Sequence, residues 1–216
     1  MNPLHLVIGC LLVFAPQELL NNALLTYKRM IAEEQSYRVV LSEGSKLAIV
    51  GSTNVNQFQC KYTQSIEPDV MEVYVRPEEG GLSFSNAIIR LQTICFKCGP
   101  SQMNRDLQAF LKVKQHPTAT IQLLKFRLTR EQMQEGNVAQ AMSEMEITLA
   151  GVTRKYEIPL SIGKNGDEHI LSGSLKLNMC DFDLVPPVVM MGLIRVKDEV
   201  KINFILKACI EKNMIN

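Results

Sequence analysis

Histidine is scarce in this chain: His5, His116 and His169 are the only three. His5 lies in an apolar N-terminal stretch, and His169 follows Asp167 and Glu168 beside a turn, where water is its expected partner. A Ser-His-Asp triad or a His-rich metal site is hard to assemble from such a set. His116 precedes Pro117 at a change of periodicity and reads as a corner rather than an acid or base. The chain also lacks a Walker loop, a GxGxxG and a GxSxG, so phosphate cradling and nucleophile-elbow chemistry have no visible basis. Charge of one sign is missing too. The 23 basic and 22 acidic residues leave a net +1, with no basic run of five or more. No nucleic-acid partner is expected from so balanced a surface. There is no internal repeat and no low-complexity tract.

A bilayer-spanning run is absent from the N-terminus, although that region is greasy. Leu4 to Ala15 (LHLVIGCLLVFA) is almost wholly apolar, but twelve residues are too few to cross a membrane as a helix. The length suits the apolar region of a signal peptide; the alternative is a buried helix segment. An exported, periplasmic or membrane-associated protein is the expectation. Leu20, Leu24, Tyr27 and Ile31 then keep helical spacing, which predicts an amphipathic helix packed on the domain or touching a membrane surface. The expected organisation is a signal-like segment over 1–15, this helix over 16–35, and one β-domain over 36–212.

The six cysteines admit several readings. Cys95-Phe96-Lys97-Cys98 is a CxxC, yet a zinc site would want a second close pair, and a redox pair would want a thioredoxin-like setting. A structural disulfide from one of these two to distant Cys60 suits an exported domain, and buried thiols are the remaining option. Carboxylates are no more directive. Asp106 beside Arg105 reads as an exposed helix pair, and Asp181 and Asp183 flank Phe182 without enough other oxygen ligands for a metal. No catalytic residue, metal or cofactor is expected.

Alternation is what the sequence has in quantity. Phe58, Cys60 and Tyr62 alternate with polar residues, as do Met71, Val73 and Val75. Leu124, Phe126 and Leu128 alternate with Lys125 and Arg127; Met145, Ile147 and Leu149 with Glu146 and Thr148. Tyr156, Ile158 and Leu160 continue the pattern, and Lys164-Asn165-Gly166-Asp167 predicts a hairpin turn. The last strand is the longest: Val200, Ile202, Phe204, Leu206 and Ala208 face one way, Lys201, Asn203 and Lys207 the other. One helix interrupts the series. Met103, Leu107 and Phe110 share a face, Ser101 is its expected N-cap, and it must stop before Pro117.

Eight or more such segments predict an all-β antiparallel sandwich or barrel with one short helix. A sheet with one greasy face must be covered or must curl, and about eight strands enclose room for side chains or one small ligand. Alternation alone picks Leu175, Leu177, Met179, Ile202, Phe204 and Leu206 as lumen residues. The stretch Pro186-Pro187-Val188-Val189-Met190-Met191-Gly192-Leu193 is unusually apolar for a loop. It reads either as a core cover or as an adaptable lip in which Met190 and Met191 touch a ligand.

In this order the pieces resemble the YceI-like family of bacterial lipocalin-like proteins, from about Ser36 to Cys209. The matching features are Gly44-Ser45-Lys46-Leu47, Asn104-Arg105-Asp106-Leu107, His116-Pro117 before the Ile121 strand, and Ile147-Thr148-Leu149-Ala150-Gly151-Val152-Thr153. Cys180-Asp181-Phe182-Asp183 and Val196 to Leu206 complete the set. Gly44 stands where relatives often carry His, and tryptophan is absent altogether. The resemblance implies a lipocalin-like barrel whose lumen takes a long amphiphile, such as a polyisoprenoid or an isoprenoid quinone, without catalysis. A subgroup pattern, Gly51-Ser52-Thr53-Asn54-Val55 with a later Cys and a Cys-Gly before the helix, implies Cys60 and Cys98 as the disulfide. A barrel with a filled core that serves structure or protein binding is the second expectation, and a thiol-redox protein using Cys95 and Cys98 the third.

Overall fold

The computed structural model describes residues 34–127, 138–189 and 193–213. The expected signal-like segment, most of the N-terminal helix, and Leu128, Met190 and Met191 lie outside the described residues.

The described residues form fourteen strands: β1 (Gln35–Leu41), β2 (Lys46–Ser52), β3 (Gln57–Tyr62), β4 (Val70–Glu78), β5 (Gly81–Ser85), β6 (Ile88–Gln92), β7 (Phe96–Lys97), β8 (Thr118–Arg127), β9 (Val138–Leu149), β10 (Val152–Asn165), β11 (Glu168–Asn178), β12 (Val188–Val189), β13 (Ile194–Arg195) and β14 (Glu199–Lys212). One α-helix, α1 (Ser101–Phe110), lies among the described residues.

Pairing reduces these pieces to eight walls. β1 and β2 both lie along β14, with Leu41 opposite Ala208 and Lys46 opposite Ile205, so they are one strand bent at Gly44. β4 pairs β1 and β3 pairs β2, making a second bent wall. β5 and β6 share β8 as partner, with Asn86 at φ 62° between them. β8, β9, β10, β11 and β14 follow as antiparallel neighbours, and the β1–β14 pairing closes the ring. The result is an up-and-down antiparallel barrel of eight walls, the expected all-β lipocalin-like class. Closure satisfies edges that would otherwise be free to pair with other chains.

The hairpins show why these residues turn where they do. Ala150 and Gly151 join β9 to β10 with φ of 50° and 85°, the two positive values of a type I′ turn. The His116 ring sits on this turn: a Cβ on Gly151 would come within 2.5 Å of its Cε1. His116 is thus the packing corner expected from Pro117. The β10–β11 turn is centred on Gly166 and Asp167, with Asn165 opposite Glu168 and Gly166 at φ 60°. It falls one residue beyond Asn165-Gly166.

Three local expectations are corrected. The N-cap of α1 is Pro100, and Ser101 is already helical. Asn104 ties the entry down instead: its Oδ1 accepts from the Cys98 N–H at 2.7 Å, and its Nδ2 donates to the Gly99 carbonyl at 3.2 Å. Asp106 takes its hydrogen bond from Gln102, not Arg105. In β8 the register shifts between Leu123 and Lys125. The inward side chains are Ile121, Leu123 and Phe126, so strict alternation through Leu124 fails at this bulge.

Candidate functional site

The greasy faces of the walls converge on the barrel axis, where three cavities follow one another. The upper chamber has a volume of about 220 Å³. Its walls include Val39, Leu41, Met71, Val73, Phe84, Leu123, Phe126, Ile162, Leu171, Ala208 and Ile210. A narrow middle space of about 30 Å³ is bounded by Leu47, Ile158, Leu175, Ile202 and Phe204, among others. A lower space of about 80 Å³ is enclosed by Ile49, Phe58, Phe96, Leu107, Leu111, Leu177 and Met179. Ile89, Ile121, Met145 and Leu206 line both the upper and middle spaces; Leu47, Ile121, Ile147 and Ile202 line both the middle and lower ones. The three therefore lie in line along the axis and are separated by shared side-chain walls.

The two ends differ. Ile210 lines the upper chamber and is 42% exposed, so among the described residues this chamber reaches the surface at the rim formed by the C-terminal part of β14. The lower end is closed. Leu107 and Leu111, supplied by and just after α1, line the lower space, and Leu111 is buried. Phe182 is fully buried in the 3₁₀ turn Met179–Phe182 and stacks on Tyr156 with ring centroids 6.2 Å apart. Burial, with the Asp181 carboxylate next in importance, pushes the Tyr156 hydroxyl up to about 12. Tyr156 donates to Asp181 Oδ2 at 3.3 Å.

The disulfide sits at this closed end. Cys60 on β3, wholly buried, is bonded to Cys98 just past β7, as the family resemblance implied. Cys95 is a buried free thiol. The CxxC is therefore split between a structural bond and an unpaired neighbour, which removes the geometry of a Cys95–Cys98 redox pair. The hydrogen bond of exposed Cys180 to Asp198 pushes its thiol pKa up. Among the described residues no group of three or more His, Cys, Asp and Glu is placed to hold a metal.

All six residues chosen by alternation face the axis. Leu175 and Phe204 border the middle space, Leu177 and Met179 the lower one, Ile202 both, and Leu206 the middle and upper ones. The structure adds the residues of the open chamber that alternation on β11 and β14 could not reach: Val39, Met71, Val73, Leu123, Phe126 and Met145. Period-two patterns marked most of them as inward. What no pattern showed was that the hollow is widest among them.

His169 is a correction. It is half-buried and lines the upper chamber, and its Nδ1 is buried with no hydrogen-bond partner. In the register His169 stands opposite Ala208, an inward residue of β14.

Two larger hollows lie off the axis. One, of about 850 Å³, is a polar cleft at the kinks of the first two walls, lined by Ser42, Glu43, Ser45, Thr63, Glu67 and Asp69. The other, of about 590 Å³, is a groove involving outward residues such as Lys46, Ser161, Ser172 and Asn203. Neither is enclosed by apolar walls, and enclosure is what removes a ligand's surface from water.

Comparison with known proteins agrees with this geometry. A family model described as YceI-like domain matches residues 46–208. The fold is similar to the crystal structure of BcnA from Burkholderia cenocepacia, with a TM-score of 0.55 and 18% identity over 76% of this chain and 95% of that one. It is also similar to a polyisoprenoid binding domain from Saccharophagus degradans implicated in plant cell wall breakdown. That match has a TM-score of 0.54 and 12% identity over 81% of this chain and 98% of that one. At such identities the likeness shows the fold alone. No protein of curated function matches the chain.

Proposed function

Because the chain belongs to the YceI-like domain family, we propose that it binds or carries a long amphiphilic lipid, a polyisoprenoid or isoprenoid quinone, in the barrel lumen without catalysing a reaction. The observation that carries this reading is the apolar upper chamber, open at one rim and continuous in its lining with two deeper spaces. The Saccharophagus degradans relative, described as a polyisoprenoid binding domain, supports the ligand class.

The magnitudes suit a chain rather than a compact molecule. A sealed apolar cavity of about 150 Å³ already takes up benzene-sized bodies. The upper chamber exceeds that but falls below the ~300 Å³ at which ligand pockets usually begin. A longer chain has to thread the constriction at Ile89, Ile121, Met145 and Leu206. Met145 can yield there, since its unbranched side chain changes shape cheaply. Each five-carbon unit buried contributes up to roughly 4 kcal/mol, reduced by the cost of ordering the chain.

The Cys60–Cys98 bond fits an oxidising compartment, so export to a periplasm or membrane surface belongs to this reading. Membrane-surface contact through the N-terminal segment and a lip formed by Met190 and Met191 are further parts of it. So is contact of Leu175, Leu177, Met179, Ile202, Phe204 and Leu206 with the deepest part of the chain. The filled-core reading is favoured by one observation, the closed and well-packed lower end around Phe182 and Leu111. Organic extraction of the purified protein followed by lipid mass spectrometry separates the two. A prenyl-bearing lipid at near-stoichiometric yield is expected. Protein that is empty and also refuses added prenyl lipids overturns the proposal.

A further inference from the structure

From the one buried side-chain polar atom without a hydrogen-bond partner among the described residues, which lies in the wall of the upper chamber, we infer that His169 is the head-group residue of the lumen. It hydrogen-bonds an uncharged polar head, such as a quinone carbonyl or a phenol, while the prenyl tail points down the axis. This inference rests on the lipid-binding reading above.

Nδ1 of His169 is buried without a partner, and the chamber around it is otherwise hydrocarbon, with Leu171, Ile162, Leu206 and Ala208 among its walls. Unpaired buried polar groups are uncommon in folded proteins because each forfeits its hydration. An imidazole nitrogen satisfies that need as donor or as acceptor, according to tautomer. Its height in the barrel gives the orientation. His169 is the second residue of β11, one step from the rim turn at Gly166 and Asp167, so a head held there leaves the deeper spaces to the tail.

The same surroundings choose the charge of the head. A phosphate or diphosphate seated in a hydrocarbon wall would lose its hydration with no buried cation to offset the loss. Lys164 stands opposite His169 in the register, but it is exposed and lies at the rim. A neutral head needs only the one hydrogen bond that His169 has free.

Three probes test this by displacement of a fluorescent fatty acid from the oxidised protein: menaquinone-4, the headless hydrocarbon squalene, and geranylgeranyl diphosphate. The expected result is that His169→Leu weakens menaquinone-4 about tenfold, the scale of one hydrogen bond in a dry site, and leaves squalene within twofold. Nitrogen-15 spectra of the wild-type imidazole give a second measurement that needs no variant: menaquinone-4 shifts the His169 ring nitrogens and squalene does not. An unchanged menaquinone-4 affinity, an equal loss for both lipids, or tighter diphosphate binding that depends on Lys164→Met but not on His169→Leu overturns the assignment. Wild-type protein that binds none of the three instead overturns the lipid-binding reading itself.

Discussion

The upper and lower halves of this barrel are built by the same walls and packed to different ends. Below the constriction at Met145 and Leu206, side chains from several elements meet: Phe96 on β7, Leu107 and Leu111 around α1, Phe182 and Leu184 after β11. Leu111, Phe182 and Leu184 are all no more than 2% exposed. Above it the walls carry Val39, Met71, Val73 and Ala208, and no helix or turn among the described residues sends a large side chain inward to fill the space. The lower half behaves as the core that a small barrel needs for stability, and a covalent tie holds it. The upper half is left hollow, and the contacts it forgoes amount to a stability cost that a bound chain can offset. On the proposed function, the upper half receives the ligand first and the lower half supplies most of the packing that holds the fold.

That division breaks if substitutions at the two ends behave alike. The largest effect is expected from Phe182→Ala, which should lower stability by about 3–5 kcal/mol in urea unfolding while lipid affinity in the folded fraction stays within twofold. Cys60→Ser comes next. The tie between Cys60 and Cys98 spans 38 residues, and removing it should cost about 2–4 kcal/mol, read from the denaturation midpoint of variant and parent. Gly173→Ala probes the boundary. Its new Cβ would lie 2.6 Å from Leu160 Cδ2 and 2.7 Å from Phe204 Cζ, so overpacking should cost about 1–3 kcal/mol.

In the upper half the sign of the trade reverses. Ala208→Leu grows into the open chamber, and it should change stability by less than about 1 kcal/mol while reducing lipid uptake at least tenfold in the displacement assay. If that variant is destabilised as strongly as Phe182→Ala, the chamber is not a real vacancy. The smallest effect sharpens the account of the closed end. Folding raises the Tyr156 pKa from about 10 to about 12, so the folded state holds this proton more tightly. Stability from this group is complete below pH 10 and is lost as pH rises through 12. A shallower fall in the unfolding midpoint over that window for Tyr156→Phe than for the parent is the expected result.

Much of this was legible beforehand because period-two alternation reports which face of a strand leaves water. Alternation turns Leu175, Leu177, Met179, Ile202, Phe204 and Leu206 inward, and all six line the axial cavities. The pattern misled at β8, where one extra residue between Leu123 and Lys125 shifts the phase and leaves no mark in composition. At His169 a different signal misled. Acidic neighbours and a turn argued for solvent, yet alternation with Leu171 put the ring inside. At α1 the hydroxyl of Ser101 is the expected cap, yet the side chain of Asn104, three residues on, ties the entry down.

The chain alone decided that there would be a curled antiparallel sheet, one helix after the CxxC, and a greasy inner face, because solvation acts locally on every second residue. It could not decide how far that inner face would be filled. Filling depends on which side chains reach the axis at one height, and these come from residues as distant as Val39, Leu123 and Ala208. Only closure of the ring brings them together, and with it comes the position of a lone imidazole nitrogen in a hydrocarbon wall.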